Sequence, residues 1–184
     1  MDTIELIEPC VSFAEAIWAF RNEVIQYDAD NQDRFAGCMS LDKCNTAEEW
    51  IKICGLRKSK ATCEQVGTKV PSHTFLAVRK SDNHIVGIID LRHHINHPVL
   101  GLWGGHCGYS VRPSERGKGY AKEMLYLNIG KAKELGIDKL LITCDVENKA
   151  SEKTILANNG IYEKTIEVEG CQIKRYWISV NDCE

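Results

Sequence analysis

GYSVRPSERGKGYA, residues Gly108 to Ala121, decides how the rest of the chain is read. It runs from a β-rich segment through a basic, glycine-interrupted loop into a segment of helical periodicity. Such a junction presents unpaired backbone N–H groups and the positive end of a helix dipole, which together favour an anion. Gly117 and Gly119 let the backbone approach a ligand closely, and Arg116 and Lys118 add charge. An ordinary βα turn with solvated basic residues has the same composition, so the spacing has to discriminate. The mononucleotide pattern G-x-x-x-x-G-K-S/T fails, because Tyr120 follows Gly119 and Ser114 stands where the first glycine belongs. The dinucleotide pattern G-x-G-x-x-G begins at Gly117 and Gly119 but ends on Lys122.

Downstream, Ala121, Met124, Leu125, Ile129, Ala132 and Leu135 recur at steps of three and four, which predicts a helix from about Gly117 to Leu135, closed by Gly136. KLLITCDV reads as a buried strand, so strand, loop, helix and strand together predict a βαβ unit with a right-handed, parallel crossover. Asn148 to Asn158 reads as another helix, followed by a hairpin of Tyr162 to Val168 and Gln172 to Val180 turning at Glu169-Gly170. Upstream, HTFLAVRK and HIVGIIDLRHHI form a hairpin through SDN; the glycine-rich connection NHPVLGLWGG leads to HCGYSV as a third antiparallel strand. Nearer the N-terminus, Ile4 to Ile7 is strand-like, and Phe13, Ala16, Ile17, Phe20 and Val24 predict a helix with Ser12 as N-cap. A second helix starts at about Thr46 in the capping pattern T-x-x-E with Glu49, carrying Trp50, Ile53 and Cys54. Lys58 to Ser72 is a polar connection.

With 184 residues and 43% hydrophobic content, the chain suits one domain over residues 1–184. A net charge of -3 argues against general attachment to nucleic acid or an acidic membrane surface, and no apolar stretch is long enough to span a bilayer. A soluble, cytoplasmic protein is expected. The nine cysteines are odd in number, scattered and free of C-x-x-C pairs, which suits reduced thiols. Cys107 and His106, with His93 and His94 nearby, would make poor zinc co-ligands, since adjacent strand residues face opposite ways; no metal is expected.

The spacing that fits the loop is R/Q-x-x-G-x-G/A, as Arg116, Gly119 and Ala121. With GYSV before it and LLITCDVENKAS and a helix ending in NNG after it, this order strongly resembles the acyl-CoA pyrophosphate loop and its flanks in the GNAT N-acetyltransferase superfamily. The resemblance covers about Phe75 to Tyr162, and is closest to a subgroup of uncharacterised bacterial predicted acetyltransferases in which GGHCGYSVRPSERGKGYA and RYWI recur. It implies an α/β (α+β) fold: a mixed, mostly antiparallel sheet of about seven strands, splayed between the fourth and fifth and flanked by about four helices. It also implies acetyl-CoA as cosubstrate. The backbone at Tyr109, Ser110 and Val111 would pair with pantetheine, and Arg116, Gly117, Lys118, Gly119, Tyr120 and Ala121 would hold the pyrophosphate. Asn148 would bond pantetheine, with Ser151 and Lys153 nearby.

Acetyl transfer to an amine requires a neutral amine, stabilisation of an oxyanion and a proton for the departing thiolate. The resemblance gives the oxyanion to the backbone N–H of Val111. His106, five residues earlier where many similar proteins carry a glutamate, is the first candidate base; a structural histidine beside Gly104 and Gly105 is the alternative. Asp90 is a second candidate base, or else a partner for Arg92. The tyrosine that many members carry seven residues after the pantetheine asparagine is replaced by Ile155, which leaves the acid unassigned. Tyr162 lies slightly later and reads as a packing residue, and Tyr120 belongs to the loop. Cys144 lacks a paired histidine and reads as a structural thiol. Arg92, His93, His94 and Trp103 are candidates to line the acceptor site. The expected function is N-acetylation of a primary amine on a small molecule, with a noncatalytic acyl-CoA-binding or sensing domain as the alternative. A homodimer through the final hairpin is one possible assembly.

Overall fold

A computed structural model describes residues 2–31 and 34–181. Its first sheet has the order β1-β2-β3-β4, from β1 (Ile4–Ile7), β2 (Ser72–Arg79), β3 (His84–Arg92) and β4 (Tyr109–Val111), and every pairing is antiparallel. Its second sheet has the order β5-β7-β6, from β5 (Lys139–Asp145), β6 (Ile161–Val168) and β7 (Cys171–Ser179), again antiparallel. The helices are α1 (Ala14–Tyr27), α2 (Ala47–Arg57), the single turn α3 (Lys60–Cys63), α4 (Tyr120–Glu134) and α5 (Lys149–Leu156). The expected α/β class is therefore present, but its seven strands form two wholly antiparallel sheets of four and three rather than one mixed sheet.

The near-continuous apolar runs FLAV and IVGII follow from burial of the first sheet on both faces. Leu76, Val78, Ile85 and Ile88 pack with Ile17, Phe20 and Val24 of α1 and Trp50 and Cys54 of α2. Phe75, Ala77, Val86 and Ile89 face the other way, toward Met124, Leu125 and Ile129 of α4, and join the core of the second sheet. Burying two such layers supplies most of the driving force for folding.

Local signals differ from expectation at two helix starts. Ser12 does not cap α1: Val11–Phe13 forms a 3₁₀ turn, and the Ser12 hydroxyl meets Cys10 Sγ at 3.0 Å. Thr46 does cap α2, accepting the Glu49 N–H at 3.1 Å, but the Glu49 carboxylate reaches Asn45 N at 2.8 Å rather than Thr46. The predicted βαβ unit also needs correction. Strands β4 and β5 do not pair as a parallel ladder; β4 ends one sheet and β5 begins the other. They touch ahead of β4, where the His106 N–H donates to Leu141 O and the Leu141 N–H donates to His106 Nδ1, both at 2.8 Å. An imidazole occupies the place of a ladder carbonyl, and beyond it the two strands go to separate sheets.

Candidate functional site

The site is built where the two sheets part. Along β4, the even-numbered residues serve the ladder: the Asp90 N–H donates to Gly108 O at 3.1 Å and the Arg112 N–H to Val86 O at 2.8 Å. By the alternation of an antiparallel ladder, the backbone groups of Tyr109 and Val111 face away from β3, into the gap. Ser110 therefore turns from the gap; its hydroxyl donates to Arg34 O and Ala36 O at 3.1 and 2.8 Å and braces the segment after α1. The expectation that Ser110 faces the donor is corrected by this register.

After β4 the chain makes a 3₁₀ turn over Pro113–Glu115 and enters the basic loop. Gly117 and Gly119 take φ of +76° and +87°, and a side chain built on Gly117 would meet open space. The first bonds into α4 run from Lys122 N and Glu123 N to Gly119 O. Among the described residues, the N–H groups of Gly117 to Ala121 have no backbone acceptor, so they form a run of donors at a helix N-terminus, the arrangement that fits a pyrophosphate. The Tyr120 ring is buried, its hydroxyl 3.4 Å from Arg79 Nη1, so only its backbone belongs to this cradle. Lys118 pairs with Glu115 at 2.9 Å.

Arg116 has another task than the spacing suggested. Both its terminal nitrogens bind the Asp28 carboxylate at the end of α1, and its Nε donates to Val111 O at 3.2 Å. Those hydrogen bonds, working against burial, hold the Asp28 carboxyl below its ordinary range. Arg116 thus ties the loop to α1 and β4 rather than pointing three free donors at a ligand.

On the opposite arm, Asn148 caps α5 by accepting the Ser151 N–H at 3.0 Å, which leaves its amide nitrogen available to a ligand. The Ser151 hydroxyl lies 2.8 Å from that of Tyr109, a bond from α5 to β4. Burial raises the pKa of Tyr109, keeping the phenol protonated. Lys153 is exposed on the outside of α5. Ile155 is fully buried in the core, against Gly160.

Neither candidate base opens onto the gap. His106 is buried; with Nδ1 occupied by the Leu141 N–H, its ring has no free lone pair in the neutral form. Burial, and then the charge of Arg92, pushes its pKa down to about 4. Asp90 is wholly buried, accepts the Gly108 N–H on Oδ1 at 2.6 Å and sits 3.1 Å from Arg92 Nε. Both assignments are corrected to structural ones, because each group is spent on the backbone beside β4. Cys144 is also buried, its thiol pushed up to about 11 chiefly by desolvation, which suits the structural reading.

A cleft of about 460 Å³ lies along the segment after α1, lined by Asp30, Arg34, Phe35, Asp42 and Lys43 among others and by Arg92 at the end of β3. Of the expected acceptor residues, Arg92 reaches it. His93 instead meets His73 at 2.8 Å, and Trp103 lies in a π-helical turn, Leu100–Gly104. That turn is held from both sides, by Arg92 on Gly104 O and Gly105 O and by Arg175 on Gly101 O and Leu102 O. Asp28, Gly37 and Arg57 went unnoticed in the sequence; only Arg57, at the end of the stripe Ala47, Trp50, Cys54, carried a periodic signal. Among the described residues no group of His, Cys, Asp and Glu side chains could hold a metal ion, and no helix is long and apolar enough to cross a membrane.

A family model described as an acetyltransferase (GNAT) domain matches residues 14–160. No curated protein sequence matches significantly. Among solved structures, a ribosomal L7/L12 alpha-N-protein acetyltransferase in complex with coenzyme A superposes with a TM-score of 0.65 at 19% identity, covering 99% of this chain and 96% of that one. The microcin C7 self-immunity acetyltransferase, in complex with acetyl-CoA and AMP, gives 0.64 at 18% identity over 97% and 93%. An N-acetyltransferase from Staphylococcus aureus Mu50 gives 0.62 at 20% identity over 98% and 99%. At such identities the likeness is one of fold.

Proposed function

The chain belongs to the GNAT acetyltransferase family, and from that premise we propose that it moves the acetyl group of acetyl-CoA directly onto a primary amine of a small molecule. The observation that carries this reading is the backbone of Tyr109 and Val111, a strand edge turned away from β3, with Val111 O bonded to Arg116, that leads to the amide run of Gly117 to Ala121. A strand edge suits the amides of pantetheine and a helix N-terminus suits a pyrophosphate. Similar folds solved with coenzyme A or acetyl-CoA support the same donor.

In this reading the acceptor enters as the free amine through the cleft along the segment after α1, which Ser110 ties to β4. Its nitrogen forms a bond to the thioester carbonyl carbon, the carbon–sulfur bond breaks, and the amine gives up one proton while the sulfur gains one. The Val111 N–H faces the gap where it can receive the developing oxyanion, a task that needs no particular side chain. The Tyr109 and Ser151 hydroxyls, 2.8 Å apart across the gap, supply the thiolate proton that the family's tyrosine would give in place of Ile155. With His106 and Asp90 committed to the backbone, deprotonation of the amine falls to solvent.

The test is incubation of the purified chain with acetyl-CoA and a panel of primary amines, with coenzyme A release followed chromatographically, since exposed thiols such as Cys10 and Cys171 would react with a thiol reagent. Saturable acetyl-CoA binding and release above background with at least one amine is the expected result. Binding without release across the panel would favour the noncatalytic acyl-CoA-binding alternative, and failure to bind acetyl-CoA would overturn both.

A further inference from the structure

We propose that the ion pair between Asp28 and Arg116 is an internal competitor of the donor: the Asp28 carboxylate holds the guanidinium that the pyrophosphate of acetyl-CoA takes on binding, and its release carries donor binding to the acceptor cleft. The proposal rests on the acetyl-transfer reading and names the regulation of the same site.

Arg112, Arg116 and Lys118 bring positive charge to the loop between β4 and α4, and the chain itself neutralises each of them. Glu23 of α1 accepts from Arg112 Nε at 2.5 Å and from the Ser114 N–H at 2.8 Å. Glu115 takes Lys118 at 2.9 Å and Arg79 at 3.0 Å. Asp28, the residue that ends α1, takes both terminal nitrogens of Arg116, in the forked geometry with which a guanidinium also grips a phosphate. Carboxylates from α1 thus occupy the loop where a polyanion is to bind. The Arg116 Nε meanwhile donates to Val111 O, on the strand edge offered to pantetheine, so the guanidinium stands where both parts of the donor need contact.

The three pairs differ in what their opening leaves behind. Arg112 is buried and also holds Ile85 O, so it is not free to turn. Lys118 is exposed, and Glu115 keeps Arg79 when it leaves. The Arg116 side chain is 46% exposed and can turn to a ligand, but that of Asp28 is only 11% exposed. Left unpaired, this carboxylate is a desolvated charge, so the end of α1 has to carry it to water or toward Arg34, the other cation whose charge it senses. The neighbouring Ala29 and Asp30 line the acceptor cleft, as does Arg34, which donates to Asp28 O and Ala29 O at 3.3 and 2.7 Å. A donor that takes Arg116 therefore reshapes one wall of the cleft.

The experiment measures calorimetric affinity for coenzyme A with the full chain and its Asp28→Asn, Arg116→Met and doubly substituted variants. Asparagine keeps the shape of aspartate without its charge, so Asp28→Asn should bind coenzyme A about three- to tenfold more tightly than the parent, the weight of a partly exposed ion pair that no longer competes. Arg116→Met should weaken binding more in the Asp28→Asn background than in the parent, because there the phosphate contact is not offset by a lost internal pair. In the parent, coenzyme A should also quicken hydrogen exchange several-fold at the Asp28 amide, which bonds to Val24 O. Affinity unchanged or weakened by Asp28→Asn, or equal losses from Arg116→Met in both backgrounds, overturns the proposal and leaves Arg116 as a brace of the loop. Unchanged or slower exchange at the Asp28 amide overturns the coupling to α1, and is the deciding result should Asp28→Asn fail to fold. Binding of coenzyme A by neither the parent nor Asp28→Asn would instead sink the transferase reading.

Discussion

The Tyr109 hydroxyl on β4 lies 2.8 Å from the Ser151 hydroxyl on α5, so one hydrogen bond spans the gap between the two sheets. On the proposed reading, a proton shared there would pass to a leaving group held between the arms. We expect Tyr109→Phe and Ser151→Ala each to lower kcat by roughly 10²-fold, the usual weight of a positioned acid, with a much smaller change in KM for acetyl-CoA. The double variant should be little worse than the poorer single one, because the two hydroxyls act as a unit. Steady-state rates within about twofold of the parent's for both single variants would remove the pair from the chemistry.

Gly119 opens α4 at φ +87°, a conformation that a β-branched side chain resists. Gly119→Val should therefore displace the amide run and weaken acetyl-CoA binding by about tenfold or more, at a cost of roughly 1–2 kcal/mol in stability. Gly136, at the far end of the same helix, has φ +69° and open space around it. Gly136→Ala should cost similar stability and leave binding unchanged, so calorimetry on the two variants separates loop geometry from general destabilisation.

The parts of the fold that were legible in the sequence are those whose causes are local. The β2–β3 hairpin, the Thr46 cap and the glycine loop each rest on residues a few positions apart. What escaped depends on partners far along the chain. Leu141, 35 residues on, takes the His106 lone pair; Gly108, 18 residues on, takes Asp90; Asp28, 88 residues back, takes Arg116. Each of these side chains reads as reactive until its backbone or charge partner is known. The β4–β5 relationship failed for the same reason: periodicity gives strand, helix and strand, but not which edges meet. Ile155 is fully buried, so the residue that breaks the family pattern serves the core.

Gly37 shows how closely the segment after α1 seats on β4. A Cβ placed there would lie 2.1 Å from Gly108 O, and the residue's φ is +76°. Gly37→Ala faces both backbone strain and a backbone clash that no side-chain motion relieves. Urea unfolding should show a loss of about 2–4 kcal/mol, larger than for a glycine strained in open space such as Gly136. The same shift would loosen the Ser110 bonds to Arg34 and Ala36 and so disturb the strand edge; kcat/KM should fall even at temperatures where the variant stays folded.

His106 links the seam between the sheets to pH. Its folded pKa of about 4 lies below the ordinary 6.5, so as pH falls the unfolded chain takes up the proton first. The stability held by the neutral ring is fully present above about pH 6.5 and is lost as pH drops toward 4, by an amount on the order of 3 kcal/mol. His73, His84 and His93, each lowered first by burial, act in the same direction. In His106→Asn the Oδ1 atom can accept the Leu141 N–H without titrating, so urea midpoints between pH 7 and 5 should fall less steeply than for the parent. A catalytic base would show a different pattern, with kcat collapsing at every pH. Since the lone pair of His106 is spent on Leu141, the variant should keep kcat within about tenfold of the parent, and its rate should still rise with pH as the acceptor amine loses its proton.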